Sequence, residues 1–316
     1  MNRSLAIGFL AAAMLSSGSA LARADDGSIV LDFIRHAEGG DNTVINTMVP
    51  GPGLTDEGMR QASELAELLK NSDIDEIWAS TMVRSQETAQ PLADALGQTI
   101  QTPFLAGLNE IDAGIFEGAP VNVGTLPLGG ALYLLAPALW TLGLTSVPLV
   151  GSTDANGIVF DARVDEAIQT IYDGSIAGDT DAVFAHEGTI AIWALMNVDN
   201  PDFGVVLHEL FTTGELLPYT GQVVIEGSPG DWTLVSWDGI PVPEDPGLLT
   251  DLFVDFRDFI QVPQAVGYDI YEALLTGNAT TIDSALQLGF SQIETAASQF
   301  PIAVFDDIVA ALGGSV

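Results

Sequence analysis

Apolar and polar positions along most of this chain alternate between two periods. Ser28–Ile34 is a short apolar run with β-branched character and predicts a buried strand. Leu65, Leu68 and Leu69 then fall at helical spacing, and Thr55 is a suitable N-cap with Asp56 and Glu57 in the first turn. A second strand is expected over Ile74–Ala79, and a helix over Val83–Leu96 that ends at Gly97. Val164–Tyr172 predicts another helix, Ala182–Ala185 a further strand and Ile190–Met196 the helix after it. Gln222–Ile225 and Trp232–Trp237 alternate as a hairpin around Gly227-Ser228-Pro229-Gly230. Strands alternating with helices predict an α/β fold, a three-layer sandwich on a mostly parallel sheet. Ligands in such sheets lie at the carboxyl ends of the strands.

Two regions break this rhythm. No charged residue lies between Glu117 and Asp154, and Gly129–Val150 is almost wholly apolar. That stretch has the length of a bilayer span, but Pro137, Pro148 and several glycines interrupt it and no basic flank marks a cytoplasmic side. An apolar lid insertion over about 119–160 is the preferred reading, with peripheral membrane contact through 129–150 and a true span as alternatives. After the proline-rich Pro241–Pro246, residues 243–316 read as a C-terminal helical extension. Its helices are expected near Leu248–Ile260, Ala265–Leu275, Thr280–Ser298 and Ile302–Leu312. They are a second candidate for peripheral membrane contact. At the other end, 1–24 has the features of a Sec-type signal peptide: Arg3, the apolar Leu5–Leu15, and small-x-small sites at Ala20–Ala22 and Ala22–Ala24. The expected division is therefore a signal peptide over 1–24, a main α/β domain over 25–242 and the extension. Without cysteine there is no lipobox, disulfide or thiol chemistry, so the expected location is secreted or cell envelope.

Charge narrows the chemistry. The formal net charge is −35, with no basic run, which makes nucleic acid and anionic membrane surfaces poor partners. Beyond 1–24 the only bases are Arg35, Arg60, Lys70, Arg84, Arg163 and Arg257, and the only histidines are His36, His186 and His208. A chain this poor in base that places Arg35 beside His36 at a strand end has an anion to hold there. An arginine fork binds phosphate bidentately, and an adjacent imidazole can attack it. No Gly-x-Ser-x-Gly elbow, phosphate-cradling Gly-rich Lys loop or His-x-x-x-His pair occurs. No metal and no cofactor are expected.

Five blocks occur in order. They are Arg35-His36-x-Glu38 with Asn42; Leu54-Thr55-x-x-Gly58-x-x-Gln61-Ala62; Ser80-x-x-x-Arg84-Ser85-x-x-Thr88-Ala89; Glu110-Ile111-Asp112-x-Gly114-x-Phe116-Glu117-Gly118; and Val183-Phe184-Ala185-His186-x-Gly188-x-Ile190. With these the chain resembles the histidine phosphatase superfamily in its phosphoglycerate-mutase-like branch, over roughly 28–240. The resemblance implies that His36 is a nucleophile that becomes phosphohistidine. Arg35 and Arg84 would clamp the phosphoryl oxygens, His186 would stabilise their charge, and Asn42 would be a neutral donor. It places the proton donor at Glu110. Glu187 competes, because glutamate stands where this branch usually has glycine, and the acid-phosphatase branch uses an acid there. Ala37 also stands where glycine is frequent. Glu38 and Thr55 are expected to be structural, and His208 lies outside the motifs. Thr220 and Gly221 begin a strand near the site.

The expected function is an exported phosphomonoesterase acting on a small phosphorylated substrate, with an apolar part suggested by the apolar insertion. A phosphomutase and a catalytically dispensable envelope interaction protein on the same fold are the alternatives. Oligomeric state stays open.

Overall fold

The computed structural model describes residues 27–40, 43–122 and 128–313. The leader read over 1–24 and Asn42 lie outside them.

The elements run β1 (Ile29–Arg35), α1 (Asp56–Leu69), β2 (Glu76–Ala79), α2 (Val83–Leu96), α3 (Leu128–Tyr133), α4 (Leu135–Trp140), α5 (Gly157–Gly174), β3 (Thr180–Ala185), α6 (Glu187–Asn197), α7 (Phe203–Thr213), β4 (Gln222–Ser228), β5 (Asp231–Trp237), β6 (Ile240–Pro241), α8 (Leu248–Leu275) and α9 (Ala279–Ala311). They build one sheet in the order β2-β3-β1-β4-β5-β6. β2, β3 and β1 are mutually parallel, and the hairpin strands β4 and β5 extend the sheet antiparallel from β1.

Strand alternation generates the layers. Ile29, Leu31 and Phe33 of β1, Trp78 of β2 and Val183 and Ala185 of β3 join one core cluster with α5 and α6. Ile34, Ile77, Ala79, Ala182 and Phe184 point the other way, into a second cluster with Leu65 and Leu69 of α1 and Leu92 of α2. The expected three-layer α/β sandwich is present. Parallel register pairs Arg35 with Ala185 and Ala79 with Phe184. The carboxyl ends of the three parallel strands are therefore level, and His36, Ser80 and His186 leave the sheet side by side.

The helix starts predicted after Thr55 and at Val83 hold, whereas α5 begins seven residues before the expected Val164 and α6 three residues before the expected Ile190. The Thr55 side chain accepts from Gly58 N, and Asn156 caps α5 by accepting from Val159 N. α7 carried no motif and was not foreseen; Asp202 caps it through Val205 N. His208 is exposed on α7.

The apolar 129–150 stretch forms α3 and α4 with turns. No helix among the described residues is long and apolar enough to cross a membrane. Its aromatic residues are interior: Trp140 stacks on Phe160 with centroids 5.6 Å apart, and Tyr133 is buried.

The C-terminal region departs from its predicted four helices. Pro263 and Pro301 lie inside α8 and α9, which run through them as two long helices. A proline removes one ladder hydrogen bond and ordinarily kinks or breaks a helix. Here Phe259 stacks on Phe300, centroids 4.6 Å apart, holding the two helices together beside both prolines. Gly289 lets them approach closely, since a Cβ there would stand 2.4 Å from Val266 Cγ1. A buried side chain ties this hairpin to the sandwich. Arg257, 2% exposed, donates to the carbonyls of Leu195 (3.2 Å) and Val198 (3.1 Å) at the end of α6. Those carbonyls have no partner within the helix ladder.

Three aspartates in the sandwich are pushed up to about 7, chiefly by burial: Asp32, Asp161 and Asp181. An unfolded aspartate releases its proton near pH 4. Between about pH 4 and 7 the folded chain therefore holds protons that the unfolded chain has lost, and stability falls as pH rises. Relief of repulsion within a chain of charge −35 acts in the same direction. The melting temperature is expected to be higher at about pH 5 than at about pH 7.5; a lower value at pH 5 would contradict this burial.

Candidate active site

The site grows from the ends of β1 and β3. His36 follows β1 directly and is 8% exposed. Its Nδ1 lies 2.7 Å from the carbonyl oxygen of Ala37, and Arg84 Nε lies 2.9 Å from its Nε2. A carbonyl can only accept and an arginine can only donate. The proton is therefore on Nδ1, and the lone pair on Nε2 faces Arg84. Ala37, the residue that replaces a frequent glycine, is fully buried, and its N–H donates to Thr88 Oγ1 at 2.9 Å. The extra methyl group is accommodated, and the His36 loop is pinned to α2.

His186 occupies the N-cap position of α6, and its ring centroid is 4.9 Å from that of His36. Ser80 Oγ accepts from Met82 N at 3.2 Å and lies 2.8 Å from His186 Nε2. Among the described residues the Ser80 hydroxyl has no other acceptor, so it donates to Nε2, and this assigns the ring proton to Nδ1. That Nδ1 is buried and has no hydrogen-bond partner. Burial, followed by Arg84, holds both imidazoles well below the ordinary histidine range. Both are neutral at pH 7.

Arg84, on the first turn of α2, also reaches Asn46 O at 3.4 Å. The loop over it turns at Gly51, with φ +69°, where a Cβ would stand 2.7 Å from Arg84 Nη1. Arg35 is held differently. Its Nη2 is 3.2 Å from Glu187 Oε2, and its Nη1 is 3.2 Å from Glu215 Oε2 and donates to Leu217 O at 2.5 Å. Its Cζ lies 4.0 Å from the centroid of the Tyr219 ring. Only Nε is left buried and unpartnered. Burial works against its charge, but Glu187 and Glu215 outweigh this and raise its pKa. Backbone bonds from Arg35 N to Gly221 O and from Thr220 N to Arg35 O fix the segment that carries Tyr219. Thr220 sits at φ +60°, a costly conformation for a β-branched residue.

Glu110 is brought into the same pocket. Its carboxyl group meets the N-terminus of α6, accepting from Gly188 N at 3.2 Å and Thr189 N at 3.0 Å, and it accepts from Ile111 N at 2.9 Å. Burial raises its pKa despite these bonds and despite Arg84. A Cβ on Gly188 would stand 2.7 Å from Glu110 Oε1, so glycine is needed there for the approach. Behind Glu110, Tyr133 of α3 donates to Ile111 O at 2.6 Å. Arg163 grips the same loop, donating to Gly107 O (2.6 Å) and Asn109 O (3.1 Å) while it pairs with Asp154 (2.5 Å).

The structure thus brings together His36, His186, Arg35, Arg84, Glu110 and Glu187. Glu38 accepts from the Thr55 hydroxyl at 2.8 Å and serves the start of α1. Sequence reasoning missed Glu215, Leu217 O and Tyr219, which lie between motifs, and the Arg163–Asp154 brace. Ser80 and Thr88 stood in a quoted block without a role.

A pocket of two histidines and two arginines at the carboxyl ends of parallel strands suits phosphoryl transfer to nitrogen. The profile of the histidine phosphatase superfamily (branch 1) matches residues 31–238, and the chain belongs to that family. It is 44% identical over 300 residues to the PE-PGRS family protein PE_PGRS11 of Mycobacterium tuberculosis, covering 90% of this chain and 49% of that one. A probable phosphoglycerate mutase, GpmB of Yersinia pestis, is 38% identical over 69 residues, covering 22% of this chain and 31% of its own. The chain therefore spans half or less of these relatives. Among solved structures, a phosphoglycerate mutase from Bacillus anthracis superposes with TM-score 0.51 at 19% identity, covering 68% of this chain and 94% of its own. A mycobacterial glucosyl-3-phosphoglycerate phosphatase superposes with TM-score 0.50 at 18% identity, covering 67% and 99%. At these identities the structural likeness is one of fold.

Proposed function

We propose that this protein is an exported phosphomonoesterase that hydrolyses its substrate through a phosphohistidine on His36. The observation that carries the reading is the His36 ring: Nδ1–H is committed to the Ala37 carbonyl, burial keeps the imidazole neutral, and Nε2 retains its lone pair. As phosphorus approaches, Nε2 forms the N–P bond, the ester P–O bond breaks, and Arg84 Nε–H is released to a phosphoryl oxygen. Arg35 Nε–H and His186 Nδ1–H, both buried and unpartnered, are donors for the other oxygens. Charge spread over equatorial oxygens is what such donors stabilise. Asn42 is assigned a further donor role from its motif position alone.

Glu110 gives its proton to the leaving alkoxide, then takes one from the water that attacks phosphohistidine. It is favoured over Glu187 because it is buried with a raised pKa, whereas Glu187 is paired with Arg35. The 119–160 insertion is assigned a lid, resting on the contact of Tyr133 with the Glu110 loop. Export rests on the 1–24 pattern.

A mutase must hold a doubly phosphorylated intermediate, and the few bases of this chain argue against one. The test is turnover of an aryl phosphate by the purified protein with a chelator present. Undiminished turnover is expected; loss of turnover that added metal restores would overturn the mechanism.

A further inference from the structure

The charge balance around Arg35 says which phosphate esters fit. Arg35 and Arg84 are the two cations of the pocket, and Glu187 and Glu215 both pair with Arg35. With neutral histidines, the pocket has nearly no net positive charge before a substrate enters. The phosphoryl group can still be held, because Arg35 Nε and His186 Nδ1 are buried donors without partners. They supply directed hydrogen bonds rather than net charge.

A second anionic group on the substrate meets a different situation. The side chains of Glu187 and Glu215 are 22% and 35% exposed, against 7% for Arg35, so they stand on its solvent side. Glu38 joins them in acting on Tyr219, whose ring lies under the guanidinium. Every other base among the described residues is already engaged. Arg60 pairs with Glu57 and Glu64, Lys70 with Glu67, Arg163 with Asp154 and Arg257 with Asp258. Among the described residues no cation is left to receive a carboxylate or a second phosphate, and Glu187 and Glu215 repel one.

We propose that this pocket takes phosphomonoesters whose alcohol half is neutral or positively charged, and turns away those whose alcohol half bears a second anionic group. The selection rests on the phosphomonoesterase reading above and deepens it. A protonated amine on the alcohol half would lie toward Glu187 and Glu215, where the Tyr219 ring adds an electron-rich face. A carboxylate in the same place faces two like charges with no counter-ion. At the dielectric of a protein surface, this difference reaches on the order of a hundredfold in kcat/KM.

The test compares phosphoethanolamine, an uncharged aryl phosphate and 3-phosphoglycerate on the purified full chain, with Glu215→Gln and Glu187→Gln beside the wild type. The expected kcat/KM for phosphoethanolamine exceeds that for 3-phosphoglycerate by about a hundredfold, mostly through KM. The ratio should shrink as salt is raised and fall by about tenfold in either variant. A merely structural role for these glutamates would lower turnover of all three substrates together and leave the ratio unchanged. Equal or preferred turnover of 3-phosphoglycerate, or a ratio indifferent to salt and to both substitutions, overturns the selection and leaves the phosphatase reading standing. Failure to hydrolyse any of the three overturns both.

Discussion

His36→Ala is expected to lower kcat by at least about ten-thousandfold, because it removes the atom proposed to bond phosphorus. The neighbours cannot substitute. His186 Nε2 is committed to Ser80 at 2.8 Å, and its Nδ1 carries a proton in this network. Arginines have no lone pair to offer, and water would meet the phosphate ester with no imidazole to activate it. The pocket would still bind phosphate through Arg35 and Arg84, so inorganic phosphate should still protect the variant against thermal unfolding. Turnover by the purified variant within about tenfold of wild type would remove His36 from the chemistry.

Glu110→Gln is the second large effect. The loss in kcat is expected to be about a hundred- to a thousandfold for an alkyl phosphate and smaller for a nitrophenyl ester, whose leaving group needs little protonation. The pH profile separates this residue from its competitor. Burial raises Glu110 and lowers His36, so mild acid leaves His36 unprotonated while Glu110 keeps its proton. Activity should therefore stay high in mild acid and fall as pH rises through the Glu110 pKa. Glu110→Gln should lose this falling limb. Glu187→Gln should keep it and show its effect in KM, since Glu187 bears on binding both through its pair with Arg35 and through the alcohol half of the substrate. The opposite pattern would exchange the two roles.

The parts of this pocket that were legible in the sequence are those placed by parallel strand ends. His36 and His186 each follow an apolar run, and the register of Arg35 with Ala185 puts both at one level. Arg84 and Ser85 open the helix after β2, so their block could be read once the strand was recognised. Glu110 needed the family pattern, because a loop with short turns carries it and no periodicity marks it. Glu215, Leu217 and Tyr219 left no local trace. They lie between α7 and β4, and only the antiparallel pairing of β4 with β1 carries that segment to Arg35. The brace from Arg163 to Asp154 joins a helix to a distant loop, which spacing along one chain does not reveal. The continuous α8 and α9 were obscured for another reason. Proline is a strong local signal for a break, and here packing between the helices at Phe259 and Phe300 overrides it.

Arg257 connects the C-terminal hairpin to the helix that borders the site. α6 presents Gly188 and Thr189 to Glu110 at one end and receives Arg257 at the other. The C-terminal hairpin thus supports the helix that holds Glu110.

The most direct measurement is a rapid alkaline quench of the protein during turnover of an aryl phosphate, followed by mass analysis of its peptides. The account predicts one added phosphoryl group on the peptide that contains His36, stable to base, labile to acid and absent from His36→Ala. Vigorous turnover with no phosphorylated peptide, or with the label on another side chain, would contradict it.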